Sequence, residues 1–345
     1  MSIRVLIAED SMVARELLVL VLESDPDLEV VGQARDGAEA VECAERLRPN
    51  VVLMDVHMPR LNGYDATRLI MARAPVPIVM VSATVDPAAM DASFEALAAG
   101  AVALLPKPAG PGHPEHAPTV ERLLQTVKSM ATVPVVRRWA TRRPPDPPGV
   151  RTRRLGVIAI GASTGGPQVL AQLMRELPAA TDVAVLVVQH IATGFVLGLA
   201  EWLARTTTLS VKLASTGEAV RPRTVYVAPE AAHLEVDAGR KLVLAAPRAD
   251  DGFVPSIDRL FRSIARVYGA EAMGILLSGM GRDGAEGLLA LRKSGAITIA
   301  QDEASCVVFG MPGEAVKLGA AELVLSPDEI SRAIGSLAVA SKDSR

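Results

Sequence analysis

The stretch LGVIAIGASTGGP at residues 155–167 decides the fold that we predict for the second half of the chain. Residues 155–160 are almost all apolar and predict a buried strand, and the glycine-rich residues after them predict a sharp turn into a helix over 166–176. Ser163 then lies on that turn, near the positive end of a helix dipole. The letters match G-x-S-x-G, a pattern that exposes a nucleophilic serine at the edge of a sheet.

Two more polar residues follow buried strands in this half. The strand predicted over 183–188 runs through one glutamine into His190, and the strand over 272–277 runs into a glycine-rich loop that contains Asp283. Because the carboxyl ends of parallel strands meet at one edge of a sheet, we expect Ser163, His190 and Asp283 to lie together.

These three residue types are those of a catalytic triad, whose chemistry defines their roles. A free serine is a poor nucleophile, so Ser163 needs a base, His190, and an acid, Asp283, that orients the imidazole and stabilises the imidazolium. Backbone N–H groups in the loops near Met280 and Thr164 are the candidates for stabilising an oxyanion, where one donor is typically worth about 3–4 kcal/mol.

The order of the three residues along the chain excludes one fold. An α/β-hydrolase presents serine, acid and then histidine, whereas this chain presents serine, histidine and then aspartate. We therefore predict a different α/β domain, a Rossmann-like, three-layer, doubly wound parallel sheet with a convergent triad. Three interpretations stay open: the turn as a dinucleotide phosphate loop, His190 as a hydrogen-bonded core residue, and Asp283 as a turn residue. Further elements of this half are predicted as a strand at 296–300, a hairpin at 233–245, and helices at 195–205, 257–268, 284–294 and 327–337.

The first half of the chain alternates short apolar runs with amphipathic segments. Five such βα units predict a second α/β domain, with a flavodoxin-like, doubly wound parallel sheet. The predicted strands are 3–8, 29–33, 50–54, 77–81 and 101–105. The predicted helices are 12–23, 37–48, 64–73, 87–98 and 117–130.

Polar and charged residues follow these strands as well. Glu9 and Asp10 follow the first strand, and Asp55 follows the third. Crowded carboxylates repel one another, and a hard divalent cation such as Mg²⁺, which prefers oxygen ligands, resolves the repulsion. Ser82 ends the fourth strand and Lys107 follows the fifth. A metal ion, a nucleophilic carboxylate, a hydroxyl and an ammonium group together can hold a phosphoryl group.

The apolar pattern fails between the two halves. Residues 131–154 contain five prolines and seven arginines with few large apolar residues, which favours an extended, flexible linker. An arm that binds nucleic acid or an acidic partner is the open alternative. The predicted organisation is a first domain at 1–130, this linker, a catalytic domain at 155–338 and a flexible tail at 339–345.

Composition narrows the class of protein. Half of the residues are hydrophobic and only 3% are aromatic, which suits parallel strands covered by helices. A net charge of −3 gives no electrostatic case for nucleic acid. Cys43 and Cys306 lie far apart and form neither a disulfide framework nor a metal pattern. No apolar run reaches the length of a membrane span, so we expect a cytoplasmic protein without direct membrane insertion.

Residues 1–130 resemble the receiver domain of bacterial response regulators. The segment MDVHMPRLNG at 54–63 carries the likeness, together with five residues in the same order as in that family: Glu9, Asp10, Asp55, Ser82 and Lys107. The resemblance implies that Glu9, Asp10 and Asp55 bind Mg²⁺ and that Asp55 accepts a phosphoryl group. It also implies that Ser82 is the switch hydroxyl and that Lys107 contacts the phosphate.

Residues 155–337 resemble the catalytic domain of the chemotaxis protein-glutamate methylesterase family, whose architecture is also receiver, linker and esterase. The motifs that carry the likeness are IGASTGG at 160–166, VQH at 188–190, VYVAP at 225–229, SIDRLF at 256–261, SGMGRDGA at 278–285, QDE at 301–303 and GMP at 310–312.

This second resemblance implies a phosphorylation-activated serine hydrolase that removes methyl groups from glutamate methyl esters on the cytoplasmic helices of chemoreceptors. Methanol is released, and some members also deamidate receptor glutamines. A chemotaxis histidine kinase is implied as the phosphodonor, and the catalytic domain needs no cofactor. The pathway is chemotaxis or a related chemosensory system, and the unphosphorylated receiver is expected to cover the hydrolase cleft.

Some positions depart from these families or stay unassigned. Leu104 stands where many receivers carry an aromatic residue, so we expect signalling to run through the Ser82 loop and packing alone. Residues 191–195 lack the prolines that usually precede the Gly-Phe pair of the esterases. His233 either lines the cleft or is structural. Two rival classes stay open, a response regulator whose second domain only binds a partner and a DNA-binding response regulator.

Overall fold

The protein is described by a computed structural model that covers residues 2–82, 100–131, 155–177, 182–248 and 251–339. The chain divides into two compact units, Met1–Ala140 and Thr141–Arg345, and each is described by itself. The predicted helix at 87–98, most of the predicted linker and all but the first residue of the predicted tail lie outside the described residues.

The N-terminal unit contains a five-stranded parallel sheet in the order β2-β1-β3-β4-β5. Its strands are β1 (Ile3–Ala8), β2 (Leu28–Ala34), β3 (Val51–Asp55), β4 (Ile78–Ser82) and β5 (Ala103–Pro106). Its described helices are α1 (Met12–Glu23), α2 (Gly37–Leu47), α3 (Gly63–Arg73) and α4 (His116–Ala131). The flavodoxin-like α/β fold predicted for this half is confirmed, and every described element lies within two residues of its predicted bounds.

Side-chain caps explain where three of these helices begin. The oxygens of Ser11, Asp36 and Asn62 each accept a backbone N–H from the first turn of α1, α2 and α3, respectively. Such caps satisfy amides that have no partner inside the helix. α1 and α2 begin after only three and two intervening residues, whereas seven residues separate the end of β3 from the start of α3.

The C-terminal unit contains a seven-stranded parallel sheet in the order β14-β13-β12-β6-β7-β9-β8. Its strands are β6 (Val157–Ala162), β7 (Ala184–Gln189), β8 (Ser210–Leu213), β9 (Thr224–Val227), β12 (Ala272–Leu276), β13 (Ile297–Gln301) and β14 (Leu323–Leu325). The predicted hairpin is a separate antiparallel pair, β10 (His233–Val236) and β11 (Leu242–Ala245). The described helices are α5 (Gly166–Glu176), α6 (Val196–Ala204), α7 (Ile257–Tyr268), α8 (Ala285–Lys293), α9 (Met311–Lys317) and α10 (Pro327–Val339).

The core of this unit is built from aliphatic residues of the strands and of the apolar stripe of α7. Ile257, Leu260, Phe261 and Ile264 of that stripe are fully buried and pack in one cluster with β6, β7 and β12. Helices cover a sheet whose central strands are buried along their whole length, as expected for parallel strands. The predicted doubly wound α/β domain is therefore confirmed.

Candidate active site and acidic pocket

The strand register brings Ser163 and His190 to the same edge of the C-terminal sheet. Parallel pairing of β6 with β7 sets Ala162 beside Gln189, so the next residues leave neighbouring strands together. The N–H of His190 donates to the Ala162 carbonyl over 2.8 Å. On its other side β6 pairs with β12, which leads to the Asp283 loop, so the site lies where the strand order reverses direction.

Glycines allow two loops to pack closely around Ser163. Gly165 has a φ of 80°, and a Cβ added there would lie 2.6 Å from Val307. A Cβ added at Gly279 would lie 2.6 Å from the Cβ of Ser163. The N–H of Ser163 donates to the Ser278 carbonyl over 3.0 Å, so the two loops are also hydrogen-bonded. A side chain at either glycine would displace the loop that carries the serine.

The hydrogen bonds of His190 define the tautomer of its imidazole. The Nε2 atom lies 3.0 Å from Asp283 Oδ2 and 3.1 Å from the Pro255 carbonyl oxygen. Both partners can only accept, because Asp283 is a carboxylate and a carbonyl oxygen has no hydrogen. The hydrogen therefore lies on Nε2, and the lone pair of Nδ1 is available to accept a proton.

Three further groups donate to Asp283. The Ser256 hydroxyl donates to Oδ1 over 3.1 Å, the N–H of Ile257 donates to Oδ2 over 2.8 Å, and the N–H of Asp258 donates to Oδ1 over 3.0 Å. Burial acts to raise the pKa of the Asp283 carboxyl, but the hydrogen bonds from His190 and from the two backbone amides outweigh it and lower that pKa. The carboxylate is therefore kept ionised at neutral pH.

The segment 251–256 contacts His190 and Asp283, and residues 251–255 belong to no motif recognised in the sequence. Besides Pro255 and Ser256, it carries Phe253, whose ring stacks on the His190 imidazole with centroids 4.7 Å apart and an interplanar angle of 9°. The Phe253 side chain is nevertheless 49% exposed. Only Ser256 has a local signal, since a serine before an amphipathic helix is a common N-cap.

The Gln189 side chain links the loops of the serine and the histidine. Its Nε2 donates to the Ser163 carbonyl over 2.8 Å and to the His190 carbonyl over 2.9 Å. The residue is only 3% exposed, and its Oε1 has no protein hydrogen-bond partner. A Cβ added at Gly166 would lie 2.4 Å from that oxygen, so α5 also needs a glycine at its first residue.

A carboxylate holds the loop that follows His190. Glu230 Oε1 accepts the N–H of Gly194 over 2.6 Å and the N–H of Val196 over 3.1 Å. The N-cap residue of α6, Phe195, offers no side-chain cap, so Glu230 supplies the missing acceptor at this helix start.

His233 is fully buried, which supports a structural location over the lining of an open cleft. Its Nε2 lies 2.8 Å from Asp251 Oδ2, and its Nδ1 accepts the N–H of Ser256 over 3.1 Å. Asp251 also accepts the N–H of Arg248 over 2.6 Å and contacts Arg259 Nη1 at 3.3 Å.

In the N-terminal unit the predicted acidic pocket forms at the carboxyl ends of β1 and β3. One ligand oxygen from each of Glu9, Asp10 and Asp55 lies within 4.8 Å of the other two. Lys107 Nζ lies 2.7 Å from Glu9 Oε2 and 3.1 Å from Asp55 Oδ2. Ser82 is buried at the end of β4, and its carbonyl accepts the Lys107 N–H over 2.8 Å.

Burial and the ammonium group act in opposite directions on these acids. Burial raises the pKa of both the Glu9 and the Asp55 carboxyls, although Lys107 opposes the shift. Burial also acts to lower the pKa of the Lys107 ammonium, but the two carboxylates outweigh it and raise that pKa. Two buried carboxylates and the exposed carboxylate of Asp10 form a set of oxygen ligands that fits a hard divalent cation.

The loop after Asp55 folds back tightly against that residue. The Gly63 N–H donates to the Val56 carbonyl over 3.0 Å, and a Cβ added at Gly63 would lie 1.9 Å from the Asp55 carbonyl oxygen. Arg60 forms an ion pair with the buried Asp36, which ties the same loop to the start of α2.

An acidic receiver pocket and a serine–histidine–aspartate site on one chain define a class of protein, the response regulators whose output domain is a hydrolase. Comparisons with known proteins narrow the class. Residues 158–334 match the CheB methylesterase family, and residues 5–116 match the response regulator receiver domain. The chain belongs to the CheB methylesterase family.

Full-length relatives share both domains with this chain. The protein-glutamate methylesterase/protein-glutamine glutaminase of Nitrosospira multiformis is 46% identical over 343 residues, which are 97% of each chain. A relative of the same name, numbered 3, from Anaeromyxobacter dehalogenans is 49% identical over 335 residues, covering 95% of this chain and 97% of the relative. The crystal structure of the catalytic domain of the Thermotoga maritima CheB methylesterase is 35% identical, with a TM-score of 0.51, and covers 53% of this chain and 98% of that one.

Among the helices of the described residues, none is both long enough and apolar enough to cross a membrane.

Proposed function

We propose that this chain hydrolyses glutamate methyl esters on chemoreceptors and releases methanol, with Ser163 as nucleophile, His190 as general base and Asp283 as the orienting acid. The observation that carries the proposal is the pair of acceptors on His190 Nε2, which places the hydrogen of the neutral imidazole on that atom and the lone pair on Nδ1. His190 follows the strand that pairs with the strand of the serine. A base with this tautomer can accept the hydroxyl proton of a serine.

The reaction has two halves. The Ser163 oxygen attacks the ester carbonyl carbon while its proton passes to His190 Nδ1, and the resulting imidazolium is stabilised by Asp283 and by the Pro255 carbonyl. His190 then returns the proton to the departing methoxide oxygen, so methanol leaves and an acyl-serine forms. A water molecule, deprotonated by the same nitrogen, hydrolyses the acyl-serine to a glutamate and regenerates Ser163.

The oxyanion of each tetrahedral intermediate needs hydrogen-bond donors beside Ser163. We assign this role to backbone amides at Thr164 and Met280. The N–H of Ser163 is engaged with Ser278, and the glycine next to Met280 packs directly against the nucleophile. Loss of one such donor typically lowers kcat by about 10²–10³-fold.

Deamidation of receptor glutamines is a second activity of the same site. The acyl-serine is identical, and only the leaving group changes from methanol to ammonia, which takes the same proton from His190. Relatives named for both methylesterase and glutaminase activity favour this extension.

We further propose that phosphorylation of Asp55 by a chemotaxis histidine kinase activates the hydrolase in the cytoplasm. Glu9, Asp10 and Asp55 would hold Mg²⁺, which when bound neutralises the charge that these acids share with an incoming phosphoryl group. Lys107 would pair with the phosphoryl oxygens, and the Ser82 hydroxyl would donate to one of them. The new charge of roughly −2 would reorder the loops around these two residues.

Methanol release from a methylated chemoreceptor fragment tests both parts of the proposal. Wild type and Ser163→Ala are compared, each with and without acetyl phosphate and Mg²⁺. We expect the serine variant to release no methanol and the phosphodonor to stimulate wild type but not Asp55→Asn. Equal rates for wild type and Ser163→Ala would refute the proposed triad. A wild-type rate that does not change when acetyl phosphate is added would refute the proposed regulation.

A further inference from the structure

One short segment of the hydrolase domain supplies three contacts to the proposed triad. We call residues 251–256 the strap. Its Phe253 ring stacks on His190, its Pro255 carbonyl accepts from His190 Nε2, and its Ser256 hydroxyl donates to Asp283. The position of the strap therefore affects both the orientation of the imidazole and the hydrogen bonds of the carboxylate.

The strap is fastened to the domain core by one buried side chain. His233 accepts the Ser256 N–H on Nδ1 over 3.1 Å, and its Nε2 lies 2.8 Å from Asp251 Oδ2. The same imidazole therefore contacts the first and the last residue of the strap. His233 is fully buried at the start of β10, so its ring is held by the surrounding core and can serve as a fixed anchor.

These contacts determine which imidazole nitrogen of His233 carries the hydrogen. Nδ1 must carry a lone pair because its partner is an N–H, and Nε2 must carry the hydrogen because its partner is a carboxylate. Asp251 also accepts from the Arg248 N–H and pairs with Arg259, so its carboxylate keeps its charge and its orientation. The pKa of Asp251 is lowered, first by the Arg248 backbone hydrogen bond and then by His233 and Arg259.

We propose that His233 is a positioning residue for the hydrolase reaction. By accepting the Ser256 N–H, it fixes the position of the strap, and through Ser256 and Pro255 the strap orients Asp283 and His190. This inference rests on the proposed function, because it assigns His190 and Asp283 their catalytic roles. His233 itself contacts neither substrate nor the reacting atoms, and it acts through the strap, whose first and last residues it contacts.

Two isosteric variants separate the two contacts of the imidazole. In His233→Asn the amide oxygen can occupy the position of Nδ1 and accept the Ser256 N–H, while the contact to Asp251 is lost. In His233→Gln the amide nitrogen can reach the position of Nε2 and donate to Asp251, while the acceptor for Ser256 is lost. Both variants remove the same buried ring, so a purely structural role predicts equal losses of melting temperature and equal losses of activity.

The readouts are methanol release from the receptor fragment and the rate at which a fluorophosphonate probe labels Ser163, both in the full chain with acetyl phosphate and Mg²⁺. We expect His233→Gln to lower kcat and the labelling rate by about tenfold with KM unchanged, the equivalent of one lost hydrogen bond. His233→Asn should lose no more than about threefold in either rate. Equal rates in the two variants, or no loss in His233→Gln, would overturn the proposal.

A third variant covers the case in which the buried substitutions prevent folding. Asp251→Ala leaves the imidazole in the core but removes the acceptor that keeps its hydrogen on Nε2. Labelling of Ser163 should then slow by about threefold, and an unchanged labelling rate would overturn the proposal. If wild type labels but releases no methanol from the receptor, the substrate assignment fails, and the comparison of labelling rates still decides the role of His233.

Discussion

Substitution of Gln189 tests whether its buried amide acts by donating hydrogen bonds, and the structure predicts that the apolar variant is the milder one. Gln189→Leu removes two donors, each worth about 0.5–1.5 kcal/mol of net stability. The Ser163 carbonyl still accepts the Gly166 N–H, so it is not left without a donor. The same change removes the buried Oε1 that lacks a protein partner, which returns about 1–3 kcal/mol. The two effects nearly cancel, and we expect a net loss of about 1 kcal/mol or less.

Gln189→Glu keeps the shape of the side chain but replaces the amide donor by a carboxylate oxygen, so two attractive contacts become repulsive. It brings a buried carboxylate oxygen to the 2.8–2.9 Å at which two carbonyl oxygens now accept from the amide. An uncompensated buried charge costs about 3–5 kcal/mol. Burial and the carbonyls raise the pKa of the new carboxyl above its unfolded value of about 4.3. The loss of folding stability caused by the buried charge is therefore absent below about pH 4.3. Above that pH it grows by up to about 1.4 kcal/mol per pH unit until the pH passes the raised pKa of the folded state.

Denaturant unfolding of the hydrolase domain measures these differences. The chain has two tryptophans, Trp139 and Trp202, so a Trp139→Phe background leaves the buried indole of α6 as the reporter for this domain. We expect the leucine variant to be more stable than the glutamate variant at pH 7.5, with a gap that narrows as the pH is lowered. A leucine variant that is the less stable of the two, or a gap that does not depend on pH, would refute the reasoning.

Three further substitutions test other contacts of the two domains. Asp283→Asn presents an amide N–H to His190 Nε2, so the imidazole hydrogen moves to Nδ1 and methanol release should fall by about 10⁴-fold; a loss below tenfold would contradict the tautomer. Gly63→Ala sets a Cβ 1.9 Å from the Asp55 carbonyl oxygen, so phosphorylation by radiolabelled acetyl phosphate should be strongly reduced, and wild-type incorporation would argue against the tight turn. Glu230→Ala removes the acceptor at the start of α6 and should destabilise the hydrolase domain by about 1 kcal/mol in denaturant unfolding, whereas Glu230→Gln, which keeps an acceptor oxygen, should lose clearly less.

The sequence was sufficient for features that depend on local pattern and parallel topology. Ser163, His190 and Asp283 each follow a buried strand, and once the strands are parallel their carboxyl ends must share an edge. The same argument brought Asp55 and Lys107 together in the other domain. The signal in each case is a run of apolar residues with one polar residue at its end, which a single chain reveals without any partner.

Features that depend on long-range side-chain contacts were not predictable in this way. The contact of His233 with Asp251 joins residues 18 positions apart, and that of Ser256 with Asp283 joins residues 27 apart. Neither separation is characteristic of a helix or a strand, so no periodicity marks it. Which imidazole nitrogen of His190 faces the carboxylate depends on the path of the strap, and that path has no regular secondary structure to predict.

Sequence analysis missed three strands of this sheet, β8, β9 and β14, which contain only three or four residues each. β9 is buried over residues 225–227 but was recognised only as part of the VYVAP motif. β8 contains four residues whose burial alternates only between exposed and partly buried, and β14 contains three residues. β8 and β14 bury too little apolar surface to stand out from loops, and each forms by pairing with the backbone of the strand beside it. α9 is also short, with seven residues that begin at Met311 and Pro312.

The first turn of α7 contributes both to the hydrophobic core of the hydrolase domain and to the hydrogen bonds of Asp283. Its amides at Ile257 and Asp258 hold the Asp283 carboxylate, while its apolar side is among the most deeply buried surfaces of the domain. A substitution at Leu260 or Phe261 that shifts the helix by a fraction of an ångström would also move the Asp283 carboxylate. Because Asp283 is the orienting acid of the proposed triad, we expect thermal stability and turnover to change together, and a search for stabilising core substitutions along α7 must select for catalytic rate at the same time.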